Sequence, residues 1–223
     1  MVPCDQRLSF RNPNQLVGSA SLVRLRINKI FSIHNYEYNK EFSYSGEAHD
    51  FWEMVYVDKG TIDAIAGDTK HSLIKGDIIF HKPNEFHDLA ANGRIAPNLI
   101  VLSFSCKSPG IKWFNNKILR IGNEEKNLLA RILHEAGNAF SSKQNDPLLL
   151  SLQRKENQIF ASEQLIRLYL EQLLIGLIRR EIHIVVKTNP TSPLNKKTSK
   201  DAFNRVIDYF ENNLLDMPKL HTI

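Results

Sequence analysis

The chain has 223 residues, of which 42% are hydrophobic and 24% charged, so it can bury a sizeable core in one domain plus an appendage. Its formal net charge of +5 fits a nucleic-acid partner without requiring one. The sequence has neither the apolar start of a signal peptide nor an apolar stretch of membrane-spanning length. Its two cysteines, Cys4 and Cys106, form no disulfide framework and no metal-type spacing, so we expect a cytoplasmic protein that contacts no membrane.

The first half of the chain has the pattern of a β protein. Residues 1–20 are polar and contain two prolines and a glycine, which predicts a flexible N-terminal arm. Between residues 21 and 108, short apolar runs are separated by turns rich in glycine, asparagine and aspartate. The strands predicted from these runs are 23–28, 51–57, 62–65, 71–74, 78–80, 86–90 and 98–105. Many short strands separated by turns predict an antiparallel sandwich or barrel.

Helical periodicity replaces the β pattern in residues 109–186. Asn123 is a plausible N-cap for a first helix, whose acidic first turn suits the helix dipole. A second helix is predicted over residues 157–181. Its apolar stripe is formed by Ile166, Leu170, Leu173, Leu174 and Leu177. Such a stripe fits both packing onto its own domain and a dimer interface, and we expect it to do both.

The C-terminal part of the chain has a different composition. Residues 187–200 are polar and rich in lysine, proline, serine and threonine, which predicts an interdomain linker. Residues 201–223 begin with an amphipathic pattern that predicts the start of a further short helix.

Two histidines and two carboxylates stand out in the predicted β region. If residues 47–57 are extended, Glu47, His49, Phe51 and Glu53 share one face, and His87 begins a neighbouring strand. Imidazole and carboxylate groups suit a divalent transition metal such as zinc, manganese, iron or nickel. Without a metal, the same groups would hydrogen-bond a small polar ligand. In a third interpretation, the histidines only close the barrel through hydrogen bonds to neighbouring backbone.

The segment around these residues resembles the first sequence motif of the cupins. In that motif an HxH pair precedes a glutamate. A glycine comes after the glutamate, with six residues between them. His49, Glu53 and Gly60 match these positions, and Glu47 replaces the first histidine.

A second segment resembles the second cupin motif. Gly76, Pro83 and His87 match it, although the spacing from proline to histidine is one residue shorter, and Glu85 stands near the usual glycine. Both segments look most like the cupin domains of AraC-type transcription regulators, and the stretches 51–60 and 76–83 carry that resemblance.

The resemblance implies a fold and a domain organisation. The fold class is mainly β with α: a cupin-type, jelly-roll-like antiparallel β-barrel in residues 21–108, followed by helices for dimerisation in residues 109–186. Residues 201–223 are similar to the start of the first helix of a helix-turn-helix DNA-binding domain. We therefore expect a fragment of a longer regulator, a homodimer that contacts DNA only through a C-terminal domain missing here.

The resemblance also implies a function, which is not enzymatic. We expect an effector-sensing and dimerisation module that binds a small polar metabolite, such as a sugar, without a cofactor. His49, Glu53 and His87 are expected to hydrogen-bond the effector, and Phe51 to offer it a stacking surface. The alternative is a metal-dependent cupin enzyme of the isomerase or dioxygenase type, with Glu47, His49, Glu53 and His87 as metal ligands.

Three further residues have predicted positions. Trp52 lies on the opposite strand face from Glu53 and is expected to pack under a helix. His71 and His81 are predicted to lie on the surface.

Overall fold

The computed structural model describes residues 23–146 and 151–188. The N-terminal arm, residues 189–200 of the predicted linker and the predicted helix start in residues 201–223 lie outside the described residues. The elements follow in the order β1 (Ile27–Glu37), β2 (Trp52–Lys59), β3 (Thr61–Ala66), β4 (Thr69–Ile74), β5 (Asp77–His81), β6 (His87–Ala91), β7 (Asn98–Cys106), a short 3-10 helix (Pro109–Phe114), β8 (Ile118–Arg120), α1 (Asn123–Ala139) and α2 (Ser162–Thr188).

Two antiparallel sheets face each other. A five-stranded sheet has the order β1-β7-β2-β5-β8, and a three-stranded sheet has the order β4-β3-β6. Buried apolar residues from both sheets form one cluster between them, including Val55 and Val101 from the larger sheet and Ile62, Leu73 and Leu89 from the smaller one. The prediction of a mainly β, cupin-type antiparallel fold followed by helices is confirmed.

The outer face of the larger sheet is covered by the helices. Along β2, Val55 points into the space between the sheets, whereas Trp52, Met54 and Tyr56 belong to a second core cluster that also contains residues of α1 and α2. This division follows from the two-residue period of a strand. The position of Trp52 in the cluster that contains the helices agrees with its predicted position under a helix. None of the helices in the described residues is long and apolar enough to cross a membrane.

Gly60 shapes the tight connection between β2 and β3. Its φ of 76° lies in the left-handed region, and a Cβ atom built on it would lie 2.8 Å from the carbonyl oxygen of Ala96. Both conditions require glycine at this position. The glycine that completes the first motif in the sequence is therefore explained by backbone geometry.

The boundaries of the first strand differ from the prediction. Only Ile27 and Asn28 of the predicted strand 23–28 belong to β1, which continues to Glu37. Its pairing with β7 shifts register between Ile27 and Lys29 and again between Ile30 and Ser32. These irregularities disturb the strict alternation of apolar and polar residues, which explains why the periodicity did not predict the strand.

The two helices also begin at different residues from those predicted. Gly122, not Asn123, is the N-cap of α1, and its backbone N–H donates a hydrogen bond to the Glu125 carboxylate at 2.8 Å. Arg180 near the end of the described part of α2 donates to the other oxygen of Glu125 at 2.7 Å, which joins the two helices. The second helix begins at Ser162 rather than at residue 157.

The apolar stripe of α2 belongs to the chain's own core. Its five residues are each 0% exposed, and they pack in the cluster between the helices and the larger sheet: Ile166, Leu170, Leu173, Leu174 and Leu177. Their side chains are therefore not available to a second subunit. The prediction that these five residues form a dimer interface is corrected, because the sheet and α1 already cover them.

Candidate functional site

The four predicted metal-binding residues converge at one end of the space between the sheets. One ligand atom from each of Glu47, His49, Glu53 and His87 lies within 4.8 Å of every other; we call this group the His–Glu cluster. Glu53 lies on β2 and His87 begins β6, whereas Glu47 and His49 lie in the segment before β2. The condition that residues 47–57 are extended throughout is not met, since β2 begins at Trp52, one residue after the start of the predicted strand 51–57.

A pair of backbone hydrogen bonds brings this segment to the site. The N–H of Glu47 donates to the carbonyl of His87, and the N–H of His87 donates to the carbonyl of Glu47, both at 2.9 Å. The bridge holds the segment before β2 against the start of β6. The convergence predicted from strand parity is therefore achieved by a different local structure.

The backbone also determines which nitrogen of each histidine faces the cluster. Nδ1 of His49 lies 3.0 Å from the carbonyl oxygen of Phe51, and Nδ1 of His87 lies 2.9 Å from that of Glu85. A carbonyl oxygen only accepts hydrogen bonds, so in each neutral ring Nδ1 carries the proton and Nε2 carries a lone pair. Both Nε2 atoms are buried and have no hydrogen-bond partner among the described residues.

The Glu53 carboxylate lies between the two unpartnered nitrogens. Its oxygens are 3.8 Å from Nε2 of His49 and 3.6 Å from Nε2 of His87, while Glu47 lies 3.9 Å from Nε2 of His87. Glu53 accepts a hydrogen bond from the Ser103 hydroxyl at 3.0 Å, and Ser103 pairs with Ser32 at 2.9 Å. The two serines on neighbouring strands thus support one side of the carboxylate.

The ionisation of Glu53 and His49 is coupled. Burial raises the pKa of Glu53, but its interaction with His49 and the charges of His87 and His81 outweigh that effect and hold the pKa below its usual value. Burial likewise lowers the pKa of His49, and the Glu53 carboxylate outweighs it and raises the pKa above its usual value. An ionised Glu53 therefore favours either a proton or another cation between the two side chains.

His81 is a member of the site that the sequence did not predict. It is fully buried and its ring stacks on His87, with centroids 4.5 Å apart and planes 14° apart. Burial lowers the pKa of His81 to about 4, and neither of its ring nitrogens has a hydrogen-bond partner among the residues described. The predicted surface position of His81 is wrong. Its two-residue spacing from the buried Ile79 on β5 was the signal that it points inward. His71, the other predicted surface histidine, is partly buried.

Phe51 packs against His49, one member of the cluster. Its ring stacks on His49 with centroids 3.7 Å apart and on Phe31 with centroids 4.2 Å apart. Two rings stacked this closely do not fit on one face of Phe51, so the phenyl ring lies between them. The expectation that Phe51 offers a stacking surface to a ligand is corrected, because both faces are already covered.

No protein-family model matches the sequence, and no curated protein matches it. Similar solved structures include the apo form of a ToxT variant from Vibrio cholerae, at 10% identity over 85% of this chain and 77% of that chain, with a TM-score of 0.45. ToxT is an AraC-family regulator with a cupin-like N-terminal domain.

Two cupins are also similar. An RmlC-like cupin from Shewanella frigidimarina has 20% identity over 31% of this chain and 60% of its own, with a TM-score of 0.28. A cupin 2 conserved barrel domain protein from Rhodopseudomonas palustris has 17% identity over 41% and 59%, with a TM-score of 0.29. Each match covers less than two thirds of the cupin. Because the TM-scores of all three structures are below 0.5, the residues of the site carry the functional argument.

The His–Glu cluster fits a divalent transition metal in its chemistry and in its size. Two imidazole nitrogens and two carboxylates are ligands that such ions accept. Metal–ligand bonds of about 2.1 Å place neighbouring ligand atoms about 3.0 to 3.4 Å apart. Three of the separations, 3.6 to 3.9 Å, need only a small contraction to reach that range, whereas the widest pair, within 4.8 Å, has to approach further.

The same geometry defines what other ligands the cluster accepts. The two Nε2 atoms and the two carboxylates are all hydrogen-bond acceptors. When both rings are neutral, no described residue places a donor between these four groups. The arrangement therefore suits a cation or a molecule that presents several donors.

Proposed function

We propose that this chain is the effector-sensing module of an AraC-type transcription regulator and that the His–Glu cluster recognises the effector. The observation that carries the proposal is the pair of buried, unpartnered Nε2 atoms of His49 and His87 beside the buried carboxylate of Glu53. Buried polar atoms without partners are rare in proteins and are typical of sites that a ligand completes. DNA binding would belong to a C-terminal helix-turn-helix domain, and the module itself would catalyse no reaction.

The acceptors of the cluster restrict the chemistry of the effector. A neutral molecule with several hydroxyl groups, such as a sugar, would donate hydrogen bonds to His49, Glu53 and His87. An anionic effector would be repelled by Glu47 and Glu53. Glu47 is the most exposed member, with 45% of its side chain accessible, and so marks the side from which a ligand enters.

Dimerisation, if it occurs through α2, would use the outer face of the helix. Leu168 and Ile175 are 44% and 39% exposed and lie seven residues apart on the face opposite the core. With Leu165 and Gln172 they follow the alternating spacing of three and four residues that brings two helices together. We propose this face as the contact between two copies of the chain.

The second candidate function is a metal-dependent cupin activity of the isomerase or dioxygenase type. The observation that favours it is the spacing of the four ligand atoms, which suits one ion. Glu47, His49, Glu53 and His87 would hold the ion, and a bound metal would supply a Lewis acid that polarises an oxygen of the substrate. His81 and Phe51 would hold the ligating rings in place by stacking on them.

One pair of measurements separates the two candidates. Metal content is measured by mass spectrometry on untagged protein purified without chelator, and thermal stability is then measured on chelator-treated protein with a panel of sugars and other polyols. The test variant is His49→Ala/His87→Ala, and the control is His71→Ala/His134→Ala, which removes two histidines outside the cluster.

The outcomes differ for each candidate. A polyol that stabilises the metal-free wild type and the control, but not the test variant, supports the sensor. About one equivalent of a transition metal, lost only in the test variant, together with no response to polyols, supports the metal-dependent activity. If the protein contains no metal and does not respond to polyols, His49 and His87 are structural residues and both candidates are contradicted.

A further inference from the structure

A cavity lies beside Phe31, the ring that stacks on Phe51 next to the cluster. It has a volume of about 790 Å³ and is bounded by the first residues of β1, by the first turns of α2 and by four residues between the helices: Phe140, Ser151, Leu152 and Arg154. Its volume is in the range of small-molecule sites, which is about 300 to 1,000 Å³. None of the four residues of the His–Glu cluster lines it.

One wall of this cavity is apolar. Ile30 and Phe31 contribute to it from β1, Phe140 from the end of α1, and Leu152 from the connecting segment. Side chains of this kind give a ligand surface for its hydrocarbon part and no hydrogen bonds. A small ion alone would leave this wall uncovered.

The lining of the cavity also carries an excess of positive charge. The Arg154 guanidinium donates two hydrogen bonds to the Glu163 carboxylate, at 2.7 and 2.9 Å, so these two charges neutralise each other. Lys29 and Arg167 also line the cavity, and neither forms an ion pair within residues 23–146 and 151–188. The lining therefore has two cationic groups that no acidic residue in the described part of the chain neutralises.

Arg167 is the group that most clearly lacks a partner. Its Nε atom is buried and has no hydrogen-bond acceptor in the described part of the chain. A ligand in the cavity does not reach this enclosed atom, but an anionic oxygen beside the terminal guanidinium nitrogens would compensate the same charge. The unpaired donor lies on a residue that lines the cavity, next to the apolar wall.

We propose that this cavity binds an amphiphilic anion, that is, a carboxylate or phosphate ester with an apolar chain. The anionic group binds Arg167 and Lys29, and the chain packs against Phe31, Phe140 and Leu152. The proposal is independent of the function of the His–Glu cluster, which selects donors or cations. The two sites differ in the sign of the charge that they accept.

The experiment uses sodium decanoate below its micelle-forming concentration, with binding to the whole chain measured by calorimetry. Acetate serves as the anionic group alone and decanol as the apolar chain alone. The test variant is Lys29→Gln/Arg167→Gln. The matched control is Lys112→Gln/Arg179→Gln, which removes the same charge from exposed positions outside the cavity. Decyl phosphate then distinguishes a phosphate ester from a carboxylate.

Decanoate is expected to bind the wild type and the control with similar affinity, and the test variant at least about ten-fold more weakly, because each lost hydrogen bond to a charged group weakens binding by about that factor. Acetate and decanol are expected to bind more weakly than decanoate. Binding of decanol as tight as that of decanoate, equal weakening in both variants, or no binding of decanoate or decyl phosphate would overturn the proposal. Unfolding curves of both variants keep a folding defect from being mistaken for lost binding.

Discussion

The imidazole of His49 lies flat against the phenyl ring of Phe51, with ring planes only 9° apart and centroids 3.7 Å apart. The carbonyl oxygen of the same phenylalanine lies 3.0 Å from Nδ1 of His49. One residue thus determines both the plane of the imidazole and the nitrogen that carries its proton. Because an imidazole that is already oriented binds without losing rotational freedom, Phe51 preorganises the cluster.

Replacing Phe51 tests this preorganisation. Phe51→Leu keeps an apolar side chain but removes the flat surface under His49, so we expect Zn²⁺, used as a probe, to bind about ten-fold more weakly. The stability of the fold should fall by about 1 kcal/mol through the lost ring contacts. Calorimetric Zn²⁺ titration and urea unfolding measure the two effects.

A matched control is available in the same fold. Phe42 packs against Tyr38 with centroids 4.0 Å and ring planes 42° apart, and neither residue is a member of the cluster. Phe42→Leu should lower stability by a similar amount and leave Zn²⁺ affinity unchanged. Equal losses of affinity in Phe42→Leu and Phe51→Leu would show that the cluster responds to stability and not to the position of His49.

A second prediction concerns the hydrogen bond that Ser103 donates to Glu53. Ser103→Ala removes the neutral donor of this buried carboxylate, so the pKa of Glu53 should rise and Zn²⁺ affinity should fall by about ten-fold or more. Ser32→Ala removes a bond one step further away and should have a smaller effect. Calorimetric titration of both variants with Zn²⁺ gives the comparison, and a larger effect in Ser32→Ala would contradict it.

His81 should make stability depend on pH. The unfolded chain protonates this histidine near its usual pKa of 6.5, whereas the folded chain does so only near 4. Between these values the unfolded state binds the extra proton, so the free energy of unfolding should fall as the pH falls from 6.5 to 4, by about 3 kcal/mol. Urea unfolding of chelator-treated protein across this range measures the change.

Variants separate His81 from the other titrating groups. Glu53, whose pKa is below its usual value of 4.5, adds a loss of stability only near and below that pH. His81→Phe should therefore reduce the dependence between pH 6.5 and 5 and leave the part that comes from His34, whose pKa burial also lowers. His134→Phe, which changes an exposed histidine, should leave it as in the wild type. An unchanged slope in His81→Phe would refute the assignment.

The two faces of α2 should respond differently to substitution. Leu173→Ala removes a fully buried side chain and should lower stability by about 2 to 5 kcal/mol without changing association. Ile175→Glu adds a charge to the outer face and should leave stability within about 0.5 kcal/mol of the wild type while weakening any dimer. Sedimentation and urea unfolding measure the two properties. A dimer that survives Ile175→Glu would exclude the outer face as the contact.

Local patterns in the sequence were sufficient for the fold class and for part of the site. Alternating apolar residues and turn glycines predicted an antiparallel β domain, because strands and turns have short-range requirements. The spacing of Glu47, His49 and Glu53, with His87 in the second segment, predicted four side chains that do meet. Even so, they meet through a backbone bridge and not along one strand, since pairing between distant segments leaves no periodic signal.

The tertiary structure alone decided which surfaces are covered and which polar atoms remain without partners. A helical period shows that Leu173 shares a face with its neighbours, but only packing shows that α1 and the sheet cover that face. In the same way, the burial of His81 and the covering of both faces of Phe51 depend on contacts between distant residues. The sequence determined the residue types and their local periodicity, whereas burial and the unpaired nitrogens arise only when the two sheets close around them.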